Sequence, residues 1–281
     1  MSVAYQLVRE SGYSASHVCS LLGVSRATYY RNKEKAAVSR DEDLRASIEK
    51  VILRSSGYGS RRITLVLVKE GFDVGRRRVR RIMREYSLLC QLKRRWTRTT
   101  DSVHGHRRFE NLAKRETPVR QNQIWVSDIT YLRMNRGFCY LAVVLDAYTR
   151  KVVGWHLSRS IDAELTVTAL RKALKARNPP VGWIHHSDQG VQYACRGYVE
   201  MVESNHGRLS MSSKACPYDN AKAESFFATI KKEHVYQNDQ GTFEEIQTGI
   251  TEYIDQYYNP VRLHSALSYK SPESFESSIL S

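Results

Sequence analysis

The sequence has no run of 18 apolar residues, so nothing in it reads as a membrane span. Its opening, MSVAYQLVRE, lacks the charged start and apolar core of a secretion signal. Cysteine is sparse: Cys19, Cys90, Cys139, Cys195 and Cys216 are odd in number, scattered, and never spaced CxxC. That pattern argues for a reducing cytosol and against a disulfide frame or a zinc ribbon. The front of the chain is also short of acid. Residues 1–120 hold 27 Lys and Arg against 12 Asp and Glu, whereas residues 121–281 hold 17 of each. The whole net charge of +15 therefore belongs to the first 120 residues. A basic arm on a neutral body suits a polyanion-binding module joined to something that acts. With 41% hydrophobic and 10% aromatic residues over 281 positions, a sizeable core is available and global disorder is excluded.

Two helical units are legible in the basic arm. From Tyr13 to Lys33, Val18, Leu21 and Leu22 form an apolar stripe. Gly23 supplies a turn, and Ser25 can cap a second short helix that begins with Arg26. This is helix-turn-helix spacing, whose second helix would enter a major groove; a helical hairpin without DNA contact fits the same spacing. The second unit begins with Ser60 as a possible cap before Ile63, Val66 and Leu67, and GFDVG then breaks the chain. The next helix buries Val79, Ile82 and Met83 and displays Arg76, Arg77, Arg78, Arg80, Arg81 and Arg84. Six arginines within nine positions repel one another, which favours an anionic partner such as DNA phosphate. The polar stretch after Leu92 has no periodicity and reads as a basic linker. The boundaries expected are 1–35 for the helix-turn-helix, 36–91 for the second helical unit, 92–120 for the linker and 121–281 for the body.

The body reads as βββαβαβαα. QIWVSDITYLRM, FCYLAVVLDAYT and KVVGWHLS look like an antiparallel meander, and DAELTVTALRKALKAR like a helix capped by Asp162. A strand VGWIHHSD, a helix CRGYVEMVESNH and a short strand RLSMS follow, and two helices close the chain. The fold class expected is α/β, a mixed sheet with helices on its faces. Trp125, Trp155 and Trp183 are read as core, Asp146 as a turn residue, and Asp219 and Asn220 as caps of the following helix.

Three carboxylates stand out against this pattern. Asp128 lies inside an apolar strand, Asp188 ends the fourth strand, and Glu224 sits in the first turns of a helix beside Phe226 and Phe227. Each alone is simply a hydrogen-bonded or capping acid. Converging in a dry site, they would repel and need divalent cations, and oxygen ligands suit Mg²⁺ or Mn²⁺ rather than Zn²⁺. His185 and His186 point to opposite strand faces, which counts against a histidine metal site.

With 35 residues between Asp188 and Glu224, the triad resembles the DDE set of bacterial transposases and retroviral integrases. The strand order resembles their ribonuclease-H-like core. QIWVSDITYL, HHSDQGVQY, CPYDNAKAESFFATIKKE and YYNPVRLHSAL resemble the signature blocks of OrfB, the catalytic frame of the insertion-sequence-three family, and the resemblance covers nearly the whole chain. It implies a transposase whose Asp128 bridges two Mg²⁺ ions, with Asp188 and Glu224 each completing one. It also implies 3′-end nicking and strand transfer at terminal inverted repeats of double-stranded DNA. Lys231, two helical turns after Glu224 and so on its face, would hold a phosphate. Arg262 and His264 would either touch DNA or support the helix. The resemblance further implies a homo-oligomeric synapse, an upstream OrfA frame as partner or fusion, and a place at the bacterial nucleoid. A binding-only regulator is the alternative function. A tyrosine recombinase is disfavoured because its HGHR (His104–Arg107) would lie in the irregular linker.

Overall fold

A computed structural model describes residues 12–23, 25–90, 108–114, 116–213, 220–237 and 241–280, without the side chains of 28–40 and 280. The chain divides into two compact units, Met1–Gln91 and Leu92–Ser281. Among the described residues no helix is long and apolar enough to cross a membrane.

The first unit is all helical. Helix α1 (Ala15–Leu21) is capped by the Ser14 hydroxyl, which accepts from His17 N–H. Gly23 then takes a positive φ of 63°, as the turn requires. Three expectations need correction here. Leu21 and Leu22 are 72% and 41% exposed, and Val18 and Cys19 are buried in their place. The next helix, α2 (Arg26–Arg54), is not short and passes through residues 35 and 36 without a break. Its 29 residues contain neither glycine nor proline, so nothing stops it before Ser55. Helices α3 (Ser60–Lys69) and α4 (Arg76–Glu85) follow; Gly59, not Ser60, is the cap of α3. Leu44, Ile48 and Val51 of α2 share a core with Ile63, Leu67, Val79, Ile82 and Met83.

The second unit is a five-stranded mixed sheet in the order β3-β2-β1-β4-β5, flanked by helices. Strands β1 (Ile124–Arg133), β2 (Phe138–Asp146) and β3 (Val152–Ser158) form the antiparallel meander. β4 (Ile184–Ser187) and β5 (Arg208–Met211) add to β1 in parallel. Helix α5 (Ala163–Ala176), capped by Asp162, crosses over between β3 and β4; the short α6 (Val191–Ala194) and α7 (Arg196–Ser204) link β4 to β5. Gly154 of β3 lets α5 approach, because a Cβ there would stand 2.4 Å from Ala169 O. After β5 come α8 (Ala221–Ile230), a π-helical turn at Lys231–Val235, α9 (Phe243–Thr251), a second π stretch at Glu252–Tyr258, and α10 (Pro272–Leu280).

Strand alternation divides the core into two layers. Ile124, Val126, Leu141, Val143 and Ile184 pack with Phe226, Phe227, Ile230, Ile254 and Tyr258. Trp125, Ala142 and Val144 pack on the other face with Leu165, Leu170, Trp183, Tyr198 and Val202. Trp125 and Trp183 are buried with ring centroids 4.6 Å apart, while Trp155 is half-buried under Lys172. Part of the expected linker belongs to this unit. Phe109 and Leu112 pack on its two core layers, and the N–H groups of Leu112 and Ala113 donate to Ser210 Oγ at 2.9 and 3.3 Å. Two apolar side chains, legible only with the sheet in view, hold this polar stretch down.

Candidate active site

β1 and β4 run parallel with Ile124 beside Ile184 and Val126 beside His186. Asp128 lies two residues past Val126, and Asp188 two past His186 and just beyond β4, so the register carries these acids toward each other and the Asp188 charge acts on Asp128. Asp128 is half-buried within β1, and one of its oxygens accepts from Ile129 N–H at 2.8 Å. Asp188 follows the last residue of β4, and Gly190 N–H donates to its Oδ1 at 3.0 Å. Burial, and after it the Asp188 and Glu224 carboxylates, push Asp128 up to about 8, against the pull of Ile129 N–H and Lys231. An acid inside a strand whose charge is resisted by two neighbours is poised for a cation or a proton.

Helix α8 brings the remaining polar groups to the same face of the sheet. Ala223, Phe226, Phe227 and Ile230 anchor it in the core layer that holds Ile124 and Val126. Asn220, at its N-cap, makes no side-chain cap. Its Nδ2 donates instead to Ser127 O at 3.3 Å, tying the helix start to the residue before Asp128. Asp219 lies outside the described residues. Glu224 is exposed on α8, contrary to the drier position expected beside Phe226 and Phe227, because those two rings turn into the core while Glu224 turns out. Among the described residues no three His, Cys, Asp or Glu side chains stand together at metal-binding spacing. The structure thus brings Asp128 and Asp188 together, with Glu224 near enough to act on Asp128 through its charge. Lys231 reaches the site: it is half-buried, its Nζ lies 4.9 Å from the Tyr131 ring centroid, and Asp128 acts on it.

Other expected residues fall elsewhere. Arg262 is 4% exposed and is spent on Glu233, with Nη2–Oε1 at 2.6 Å and Nε–Oε2 at 2.7 Å. Its reading as a DNA contact is corrected: a buried, doubly bonded guanidinium supports the turn after α8 instead. His264 stacks edge-on against Tyr258 at 4.9 Å beside Arg262. His185 is buried between Ser127 Oγ (2.9 Å) and Tyr198 OH (2.8 Å), and His186 Nδ1 meets Ser210 Oγ at 2.8 Å, on strand faces as alternation requires. Asp146 is fully buried and accepts the N–H groups of Asn122, Tyr148 and Thr149, which is a turn role.

In the first unit, Arg78 and Arg81 of α4 both pair with Asp41 of α2. Arg76, Arg77, Arg80 and Arg84 are exposed and make no ion pair among the described residues, and Arg26 is exposed at the start of α2. Sequence reading treated all six α4 arginines alike because Asp41 lies in another element.

Tyr193 went unnoticed in the sequence. Its hydroxyl is buried without a hydrogen-bond partner among the described residues, and burial, then Tyr198, Asp128 and Asp188, raise its phenol well above its ordinary value. Its place in HHSDQGVQY was the available signal.

A five-stranded sheet with three antiparallel and two parallel strands, helices on both faces and paired acids on its central strands is a ribonuclease-H-like integrase core. Family models agree: an integrase core domain matches residues 118–217, a second integrase core model matches 205–272, and an HTH-like domain matches 39–96. The chain is 38% identical over 263 residues to the insertion element IS600 31 kDa protein of Shigella sonnei, covering 92% of this chain and 97% of that one. It is 33% identical over 274 residues to the transposase InsF for insertion sequence IS3A of Escherichia coli K12, covering 95% of each. The HTLV-2 integrase catalytic core domain is similar in outline at 14% identity, with a TM-score of 0.44 over 57% of this chain and 99% of that one. The chain belongs to the IS3 family and is a transposase of an insertion sequence.

Proposed function

We propose that this transposase nicks the 3′ ends of its element and joins them to another phosphodiester, with Asp128, Asp188 and Glu224 holding two Mg²⁺ or Mn²⁺ ions. The observation that supports this most is the β1–β4 register, which carries two acids toward each other beyond the paired residues, where the Asp188 charge acts on Asp128. The donor set fits such ions: it is all oxygen, and Asp128 resists carrying its charge without a cation. Such a pair of ions, when bound, activates the attacking oxygen and stabilises the departing 3′ oxygen.

The chain's own residues do the rest. Ile129 N–H and Gly190 N–H each hold one carboxylate oxygen and so fix the orientation of Asp128 and Asp188. Asn220 ties the Glu224 helix to β1. Lys231 offers its ammonium to a phosphate beside the acids. Exposed Arg26, Arg76, Arg77, Arg80 and Arg84 grip the terminal inverted repeats, and Arg78 and Arg81 set the angle of α4 through Asp41. Two or more copies bring both ends together, with the upstream OrfA frame as partner or fusion.

The test is incubation of purified protein with its element-end DNA and Mg²⁺, alongside Asp188→Asn. Metal-dependent nicking that vanishes in the variant while binding survives is the expected result. Binding by both proteins without cutting, even with OrfA added, would favour a regulator. Cutting by the variant would place the active site elsewhere.

A further inference from the structure

The sheet face that carries Asp128 also borders a cavity which the acids do not line. Its volume is about 470 Å³, and Ile124 and Val126 of β1 form its apolar side. Both share Asp128's side of the strand. At about 3.3 Å per residue, Val126 stands roughly 7 Å and Ile124 roughly 13 Å from Asp128.

Cations dominate the polar wall. Arg150, just before β3, and Lys222, in the first turn of α8, both line the cavity and are both half-buried. Neither makes an ion pair among the described residues. Among the described residues the carboxylate that acts on them is Asp146, whose oxygens already accept three backbone N–H groups. Both line one cavity, so the two cations face the same space. Lys114 adds a third cation at the rim, on a wall held by the Ala113 N–H bond to Ser210 Oγ. Glu116, the acid of the wall, faces Arg208 at 3.5 Å.

Two like charges kept half out of water with no ion-pair partner among the described residues are costly, and an arriving anion lowers that cost. A guanidinium fork beside an ammonium suits a tetrahedral oxyanion better than a point charge. Ser225, next to Glu224, lines the same cavity with a hydroxyl.

We propose that this cavity binds a backbone phosphate of the DNA strand being cut, clamped between Arg150 and Lys222. With a rise of about 3.4 Å per nucleotide, the bound phosphate lies roughly two to four nucleotides from the reacting bond. That distance rests on Asp128 and Asp188 being the reacting centre; the phosphate site itself does not.

The test uses the full chain, a fluorescein-labelled random-sequence duplex and EDTA, so that binding is read without cutting. Arg150→Gln/Lys222→Gln is compared with Lys175→Gln/Arg196→Gln, which removes the same charge from exposed positions on α5 and α7. The cavity pair should bind about tenfold more weakly near 50 mM salt, with the log–log salt slope shallower by about one. The surface pair should change neither as much. Lys222→Gln alone, expected to weaken binding about threefold, carries the reading if the double variant melts early. Equal losses in both pairs, or an unchanged duplex affinity, would overturn the proposal. Calorimetry with inorganic phosphate separates the sources. Phosphate binding lost in the cavity pair while duplex affinity stays the same would make this a small-anion site and overturn the DNA assignment. Failure here with Asp188→Asn still abolishing cutting sinks the cavity alone; the reverse sinks the catalytic reading alone.

Discussion

Replacing Arg262 by methionine should destabilise the transposase strongly and leave its DNA affinity unchanged. The guanidinium is 4% exposed and bonds both oxygens of Glu233, whose side chain is 7% exposed. Tyr253 OH donates to the same carboxylate at 3.0 Å. Methionine fills most of the volume of the arginine stem but leaves the Glu233 charge buried without its guanidinium. Removing one partner of a buried ion pair costs about 3–5 kcal/mol. For a unit of this size each kcal/mol moves the melting temperature by roughly 2–4 °C, so a fall of about 6–20 °C is expected. Arg262→Met/Glu233→Gln should recover most of it, since an uncharged pair of similar shape is close to neutral. Thermal melting followed by circular dichroism, arranged as a double-mutant cycle, measures the coupling, and anisotropy on the same proteins measures DNA binding. A variant that melts with the wild type yet binds duplex more weakly would refute the buried-support role and restore Arg262 as a DNA contact.

Two further outcomes follow from the same contacts. Asn220→Ala removes one neutral hydrogen bond, worth about 1 kcal/mol, so melting should fall by only a few degrees. The cutting rate should drop more than DNA affinity, because the helix bearing Glu224 loses its tie to β1; an unchanged rate would deny the tie any role. His185 titrates at about 3 when folded, through burial first and then His186, against 6.5 when free. Its folded value is depressed, so its stabilisation is complete above pH 6.5 and is lost as pH falls toward 3. The loss approaches about 1.4 kcal/mol per pH unit across that window. His185→Gln should therefore lose stability less steeply between pH 6 and pH 4 in urea titrations, and parallel curves would rule this account out.

Local pattern was enough for most of the second unit. The three meander strands, Asp162 as cap and the helix from Ala163 all follow from alternation, period and capping chemistry over a few neighbouring residues. The longer reach of α2 was also in the letters, since no glycine or proline interrupts Arg26–Arg54; attention to the Gly23 turn shortened it. What could not be read was pairing at a distance. Arg78 looks like Arg77 until Asp41 arrives from another helix, and Arg262 looks like a surface cation until Glu233 closes on it.

The same limit explains why the acids were easier to find than the cations of the neighbouring cavity. Asp128 contradicts its own strand, and an acid that breaks a local apolar pattern announces a tertiary reason for being there. Arg150 sits in a turn and Lys222 in a helix's first turn, where a cation breaks no rule. Only the fold makes them unusual, by half-burying both beside Ile124 and Val126 with no ion pair to either among the described residues. Half-buried cations with no ion-pair partner among the described residues are held for something outside them, and for a transposase the abundant anion is the strand it cuts.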